Sequence, residues 1–206
     1  MEREREEDEQ RLTLLLTNLL AEQRERVLVD PDWAEEDRIL IEELEPVLLE
    51  VALREARRTV RKVEAQKQDG LFDRVLAWVA RYTFELVTGI NQTTRDQLAE
   101  VLEQFVGTPG QTLGQLNEAV GFIFTPERAN TIAVTELTRA YGEGVKAAAE
   151  ELNSQGAPML EIWHTNNDEL VCEDCGPLDN TQRGEDWESY PPLHPNCRCD
   201  VVLEMA

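Results

Sequence analysis

Leu12, Leu15, Leu16, Leu19 and Leu20 recur at three- and four-residue intervals, which places them on one face of a helix from Arg11 to Val27. The stretch before it, Glu2 to Glu9, is dense in charge and is expected to fray or to act as an arm ordered by a partner. Asp30-Pro31 reads as an N-cap followed by proline at the first helical position. The helix it opens directs Trp33, Ile39, Leu40 and Leu44 to a core. Pro46, which has no amide hydrogen and clashes with the preceding turn, is expected to break or kink it. A further helical run, Val47 to Gln66, carries Leu48, Val51, Ala52, Val60 and Val63. After a turn at Asp69-Gly70, Leu71, Val75, Leu76, Trp78, Val79 and Tyr82 form an apolar face that ends near Gly89. Thr93 or Thr94 is expected to cap a short helix bearing Leu98, Val101, Leu102 and Phe105. Gly107-Thr108-Pro109-Gly110 is a loop. Thr112 caps another short helix through Phe124, and Thr125-Pro126 opens a long one, Glu127 to about Asn153, with Ile132, Ala133, Leu137, Ala140 and Val145 inward.

The pattern changes after Gly156-Ala157-Pro158. Met159 to His164 alternates and reads as a strand, Asp200 to Leu203 as a second, and the chain between them is rich in turns. The fold class expected is mainly α: a multi-helix body with a small C-terminal β-containing, cysteine-rich lobe (α+β). Three regions follow: 1–68, N-terminal helices for docking a partner or acting as an arm; 69–156, a helical body; and 157–206, a strand with a cysteine and histidine knuckle.

Composition narrows the possible partners. A formal net charge of −22 over 206 residues repels polyanions, so broad duplex binding by the whole chain is excluded, although one local DNA contact is not. A partner surface should be basic or apolar. The one basic stretch, Arg54, Arg57, Arg58, Arg61, Lys62 and Lys67, reads as a solvated helix face paired with nearby glutamates. No secretory leader and no run of about 20 apolar residues is present, so no membrane partner is expected.

All four cysteines fall in the last fifth of the chain. Disulfide frameworks spread their cysteines through a fold, whereas close pairs suit a metal. Cys172 and Cys175 are two residues apart with Gly176 directly after, a spacing that brings two sulfurs to one ion. His194 and Cys197 repeat it, and Cys197 with Cys199 would share one face of a strand. Five donors compete for four tetrahedral places on a structural zinc. Cys172 and Cys175 hold two; the rest come from His194, Cys197 and Cys199, as four cysteines or as three with the histidine. A closed set of four leaves no position for a small-molecule substrate.

Trp163, Thr165, Asp168, Cys172-x-x-Cys175, Leu178-Asp179 and the run Pro191-Pro192-Leu193-His194-Pro195-Asn196-Cys197-Arg198-Cys199 resemble the signature of the phage Mu F-like, or head morphogenesis, minor capsid family. Arg128-x-x-x-Ile132-Ala133-x-Thr135-Glu136-x-x-Arg139-Ala140 is similar to the helix preceding that signature, and the resemblance covers roughly residues 70 to 206. Asn180 stands where the family often has glycine, which implies a different turn there. The resemblance implies a non-enzymatic minor head protein of the virion. It would be made in the host cytoplasm, sit inside the capsid near the portal vertex with the portal and other capsid proteins as partners, and act in head morphogenesis and in DNA packaging or ejection. The rival reading is a metal-dependent hydrolase or transferase acting during DNA delivery, with Asp168 or Glu169 as base on a metal-bound water. Against it, the His-x-Glu and Pro-Cys-x-x-Cys elements of zinc deaminases are missing. A third reading is a free-standing acidic interaction module.

Single residues have structural readings. Asp168 caps the turn into the knuckle, and Arg198 offsets thiolate charge or pairs with Asp168 or Asp179. Arg128 and Glu136 form an ion pair. Trp33, Trp78 and Trp163 anchor the core, while Trp187 lies in the acidic loop as a contact residue.

Overall fold

The computed structural model describes residues 2–62, 70–165 and 171–206. In chain order they form α1 (Glu2–Val27), α2 (Trp33–Lys62), α3 (Leu71–Gly107), α4 (Leu113–Gly121), α5 (Pro126–Ser154), β1 (Met159–His164), a short 3-10 turn (Gly176–Leu178) and β2 (Asp200–Met205). The fold is therefore mainly helical with one small two-stranded antiparallel sheet, and β1 pairs with β2 from Met159 opposite Met205 to His164 opposite Asp200. The end of the run Val47 to Gln66, Lys67, the Asp69 turn, Asp168 and Glu169 lie outside the described residues.

Several expected boundaries move, each for a local reason. The charged start does not fray: α1 begins at Glu2, with Arg3–Glu7 (3.2 Å) and Arg5–Glu9 (3.5 Å) pairs one turn apart. The cap of α2 is Asp32 rather than Asp30, since its Oδ1 accepts the amides of Ala34 and Glu35, both at 3.2 Å. Pro46 does not end α2. It sits on the exposed face, where water can make up for a missing backbone hydrogen bond. Nor does α3 stop at Gly89. Thr93 and Thr94 cap nothing; their hydroxyls donate back to the carbonyls of Gly89 (2.9 Å) and Ile90 (2.8 Å) inside a continuous helix. By contrast Thr112 caps α4 as expected, in a reciprocal box with Gln115, and Thr125 accepts the Arg128 amide at the start of α5.

The chain divides into two compact units: residues 1–44 with 81–133, and residues 45–80 with 134–206. In the first, Leu12, Leu16, Leu20, Leu40 and Leu44 are buried, as are Val87, Ile90 and Phe124. A polar seam runs through that core: Gln23 donates to Asn91 (2.7 Å), which donates to Asp37 (2.7 Å). Arg128 gives its guanidinium to the carbonyls of Ile123 (2.8 Å) and Ile90 (3.2 Å) and to Thr94 Oγ1 (2.9 Å). It does not pair with Glu136, whose salt bridge is to Arg139 at 3.4 Å. Trp33 is half-buried beneath Arg95, whose guanidinium lies 5.5 Å from the ring centre, rather than in the core.

The second unit packs Leu48, Val51, Ala52 and Val60 of α2 and Val75, Trp78 and Val79 of α3 with Leu137, Tyr141, Val145 and Leu152 of α5. Glu55 is buried here, with Arg58 donating to it at 3.1 Å. Burial raises its pKa, Asp200 adds to the rise, and Arg58 and Lys62 only partly offset it. The folded state thus holds this proton more tightly than the unfolded chain. Its stabilising share is complete at low pH and is lost as pH rises through the folded pKa. Glu55→Gln should therefore be the more stable protein near neutrality, the gap closing as pH falls toward 4.5, in paired thermal melts across that range.

Candidate metal centre

The lobe is built around β1. Trp163, fully buried near the strand's C-terminal end, meets Trp187 edge to face at 5.2 Å, and Trp187 meets Tyr190 the same way at 5.8 Å. Trp187 is a core residue and not a surface contact: it is 7% exposed and donates its indole N–H to the Thr181 carbonyl. Val145 from α5 and Val201 from β2 complete this small core together with Cys175, Cys197 and Cys199. Beside it, Glu161 accepts from Arg183 (3.0 Å) and from the Tyr190 hydroxyl, which fixes the entry to the cis Pro191-Pro192 pair.

Two tight turns deliver the donors. In the first, the Cys175 amide donates to Cys172 Sγ (3.3 Å) and the Gly176 amide to the Cys172 carbonyl (2.9 Å). In the second, Asn196 takes φ +61°, a conformation that asparagine tolerates better than most residues, and the Cys197 amide closes on the His194 carbonyl at 3.2 Å. Asn180 likewise has φ +60°. That is the left-handed region, which glycine adopts freely and asparagine tolerates. Asp179 beside it accepts the amide (2.8 Å) and hydroxyl (3.0 Å) of Thr165.

All five donors expected from the sequence converge. Cys172, Cys175 and His194 form one group and Cys175, Cys197 and Cys199 a second, the atoms within each lying inside 4.8 Å of one another. His194 Nε2 is 3.1 Å from Cys172 Sγ and 3.2 Å from Cys175 Sγ, and Cys175 Sγ is 3.9 Å from Cys197 Sγ. A tetrahedral zinc with bonds of roughly 2.3 Å to sulfur and 2.0 Å to nitrogen needs about 3.8 Å between sulfurs and about 3.5 Å from sulfur to nitrogen. The donor set fits such an ion after shifts of a few tenths of an ångström. His194 is already oriented for it: Nδ1 sits 2.8 Å from the Pro195 carbonyl, which can only accept, so the proton is on Nδ1 and the Nε2 lone pair faces the sulfurs.

Proton affinities within the cluster diverge. A hydrogen bond from Cys199 holds Cys197 down to about 5, while Cys199 is pushed up by the same contact. Burial pushes Cys175 up to about 12, and the Cys175 amide lowers Cys172. The bond to Pro195 raises His194. A divalent ion would displace the shared protons and turn these crowded thiols into ligands.

Two further residues hold the site, and no sequence reading assigned them a role. Thr138 donates to the Cys197 carbonyl at 2.6 Å and Thr135 accepts the Asn196 amide at 3.0 Å, one helical turn apart on α5. The signal available was their three-residue spacing on a helix otherwise lined with alanine and leucine. Thr138→Val removes a buried donor and leaves a carbonyl unmet, which should cost about 1–3 kcal/mol in denaturant unfolding.

A helical body whose last strand pair and two turns gather cysteine and histidine into one cluster is a small knuckle domain closed by a metal-type donor set. The chain belongs to the family described as Phage Mu protein F like protein, whose profile matches residues 85–202, a stretch that contains all five donors. It is thus a phage head morphogenesis protein of a structural family. No helix among the described residues is long and apolar enough to cross a membrane. No curated protein and no solved structure matches the chain.

Proposed function

We propose that this protein is a portal-associated minor head protein that acts in head assembly and in DNA packaging or ejection, with a structural zinc closing its C-terminal lobe. The observation that carries the reading is the coincidence of the family match with the donor cluster. Four of Cys172, Cys175, His194, Cys197 and Cys199 would hold the ion, Cys175 being common to both groups of three. Zinc would supply cross-linking of two turns rather than chemistry, because five donors around one ion leave no need for a water ligand. A metal-dependent hydrolase is the poorer fit on that ground. Docking through the N-terminal helices is supported by Leu14, Leu28 and Val29, large apolar side chains left exposed on and just after α1.

The test is co-expression with the portal protein of the same phage, followed by co-purification and a deletion phage. A stable complex and particles defective in assembly or ejection are expected. Absence of both sinks the portal reading.

A further inference from the structure

Two surface features of this chain are chemically complementary. The first is the hairpin made by the end of α3 and by α4. From Arg95 to Ala119 no side chain is buried, although the stretch carries Leu98, Val101, Leu102, Phe105, Val106, Leu113 and Leu116. Val106 is 84% exposed, Leu113 77% and Phe122, just beyond, 74%. Leu102 and Val106, one turn apart on α3, and Leu113 and Phe122 at the two ends of α4 are apolar groups exposed enough to mark a surface that something covers. Its rim is acidic: Asp96, Glu100, Glu103 and Glu118 stand against the single cation Arg95, which lies over Trp33. Two copies of this hairpin face to face would oppose like charges, so its complement must be cationic.

The second feature supplies that complement. Five of the chain's 20 lysines and arginines fall within nine residues of α2: Arg54, Arg57, Arg58, Arg61 and Lys62. They line an open groove with Leu53 and Glu50. Arg54 pairs with Glu50 (3.7 Å) and Arg58 with Glu55 (3.1 Å), whereas Arg57, Arg61 and Lys62 are exposed and make no salt bridge among the described residues. The aliphatic stems of these side chains and half-buried Leu53 give the groove an apolar floor under a cationic rim. One surface is apolar with an acidic edge, the other apolar with a basic edge.

We propose that the chain associates with itself head to tail, the acidic hairpin of one copy seated on the cationic α2 groove of the next. The interface is heterologous: each copy uses two different surfaces, so the association continues beyond two copies. The patches are small, so affinity is weak, on the order of micromolar. Because the rim is ionic and exposed, molar salt, where the screening length is about 3 Å, dissolves it.

Sedimentation equilibrium on the full chain, in low and in molar salt, is the experiment, with two exposed-site variants that leave the core alone. Leu102→Glu/Val106→Glu spoils the hairpin and Arg57→Glu/Arg61→Glu spoils the groove; circular dichroism confirms that both fold. The wild type should form species larger than a dimer in low salt and a monomer in high salt. Each variant alone should weaken association at least tenfold. Mixed one to one, the two should form a heterodimer and nothing larger, since one intact hairpin and one intact groove remain. A wild type that stays monomeric, a groove variant that still dimerises through its hairpin, or a mixture that does not associate would each overturn the proposal.

Discussion

Replacing Cys175 with serine should strip the proposed zinc from the protein and loosen the whole C-terminal lobe while the helical units stay folded. Cys175 is the donor shared by both clusters and is 1% exposed, so its loss leaves neither group of three intact. Zinc affinity should fall by more than about 100-fold, beyond the roughly 10–100-fold that loss of a residue supporting a ligand costs. Elemental analysis should read one zinc per chain in the wild type and none in the variant after dialysis. The lobe's own tryptophans report the structural effect: Trp163 and Trp187 meet edge to face within it, so their emission should move red in the variant while far-ultraviolet helicity changes little. Chelation should reproduce that spectrum, and so should acid, because protons compete for the same lone pairs and retention falls as pH falls. The companion variants Cys199→Ser and His194→Ala separate the two ligand sets. With five donors for four places, one of them should keep its zinc. A wild type that binds no metal would remove zinc from the account of this lobe, and a Cys175 variant that retains it would remove Cys175 from the ligand set.

The lobe was legible because its chemistry is local. Cys172 and Cys175, and then His194 and Cys197, sit two residues apart, and a turn of that length allows few geometries besides convergence. The strands were legible for the same reason: Met159 to His164 alternates, and it is β1 residue for residue. Helix ends were less readable, because the outcome at Pro46, Gly89 and Thr94 is decided by neighbours distant in sequence. Thr94 has the side chain of a cap, but it is fully buried where Arg128 reaches it at 2.9 Å, and that site holds the helix straight through. Trp187 misled through its surroundings: Glu185, Asp186 and Glu188 look like solvent, yet its ring completes the stack on Trp163. The supports Thr135 and Thr138 offered only their spacing, because a threonine on a helix shows what it bonds only once the loop is folded against it.

The second large effect is expected at a residue with no chemistry at all. Gly142 and Gly144 lie in the middle of α5, where glycine costs about 1 kcal/mol relative to alanine, so something must offset it. At Gly144 the reason is the approach of α2. A Cβ there would stand 2.5 Å from the Ala52 carbonyl oxygen, 3.0 Å from Glu55 Cβ and 3.1 Å from the Ala56 amide nitrogen. Two of the three are backbone atoms of a packed helix, which cannot swing aside as a side chain would. Gly144→Ala therefore gains helix propensity but forces α2 and α5 apart at a point where Ala52 and Ala56 are themselves fully buried. The strain should win, with a net loss of about 1–3 kcal/mol or more in denaturant unfolding, and Gly144→Val should be worse. Gly142 makes a gentler comparison: its Cβ would meet the Pro191 carbonyl at 3.1 Å, on the loop that leads to His194. Gly142→Ala should therefore disturb zinc retention more than overall stability, and Gly144→Ala the reverse. If both variants prove more stable than the wild type, helix propensity outweighs close packing in α5, and the tight contact between α2 and α5 is not what holds this unit together.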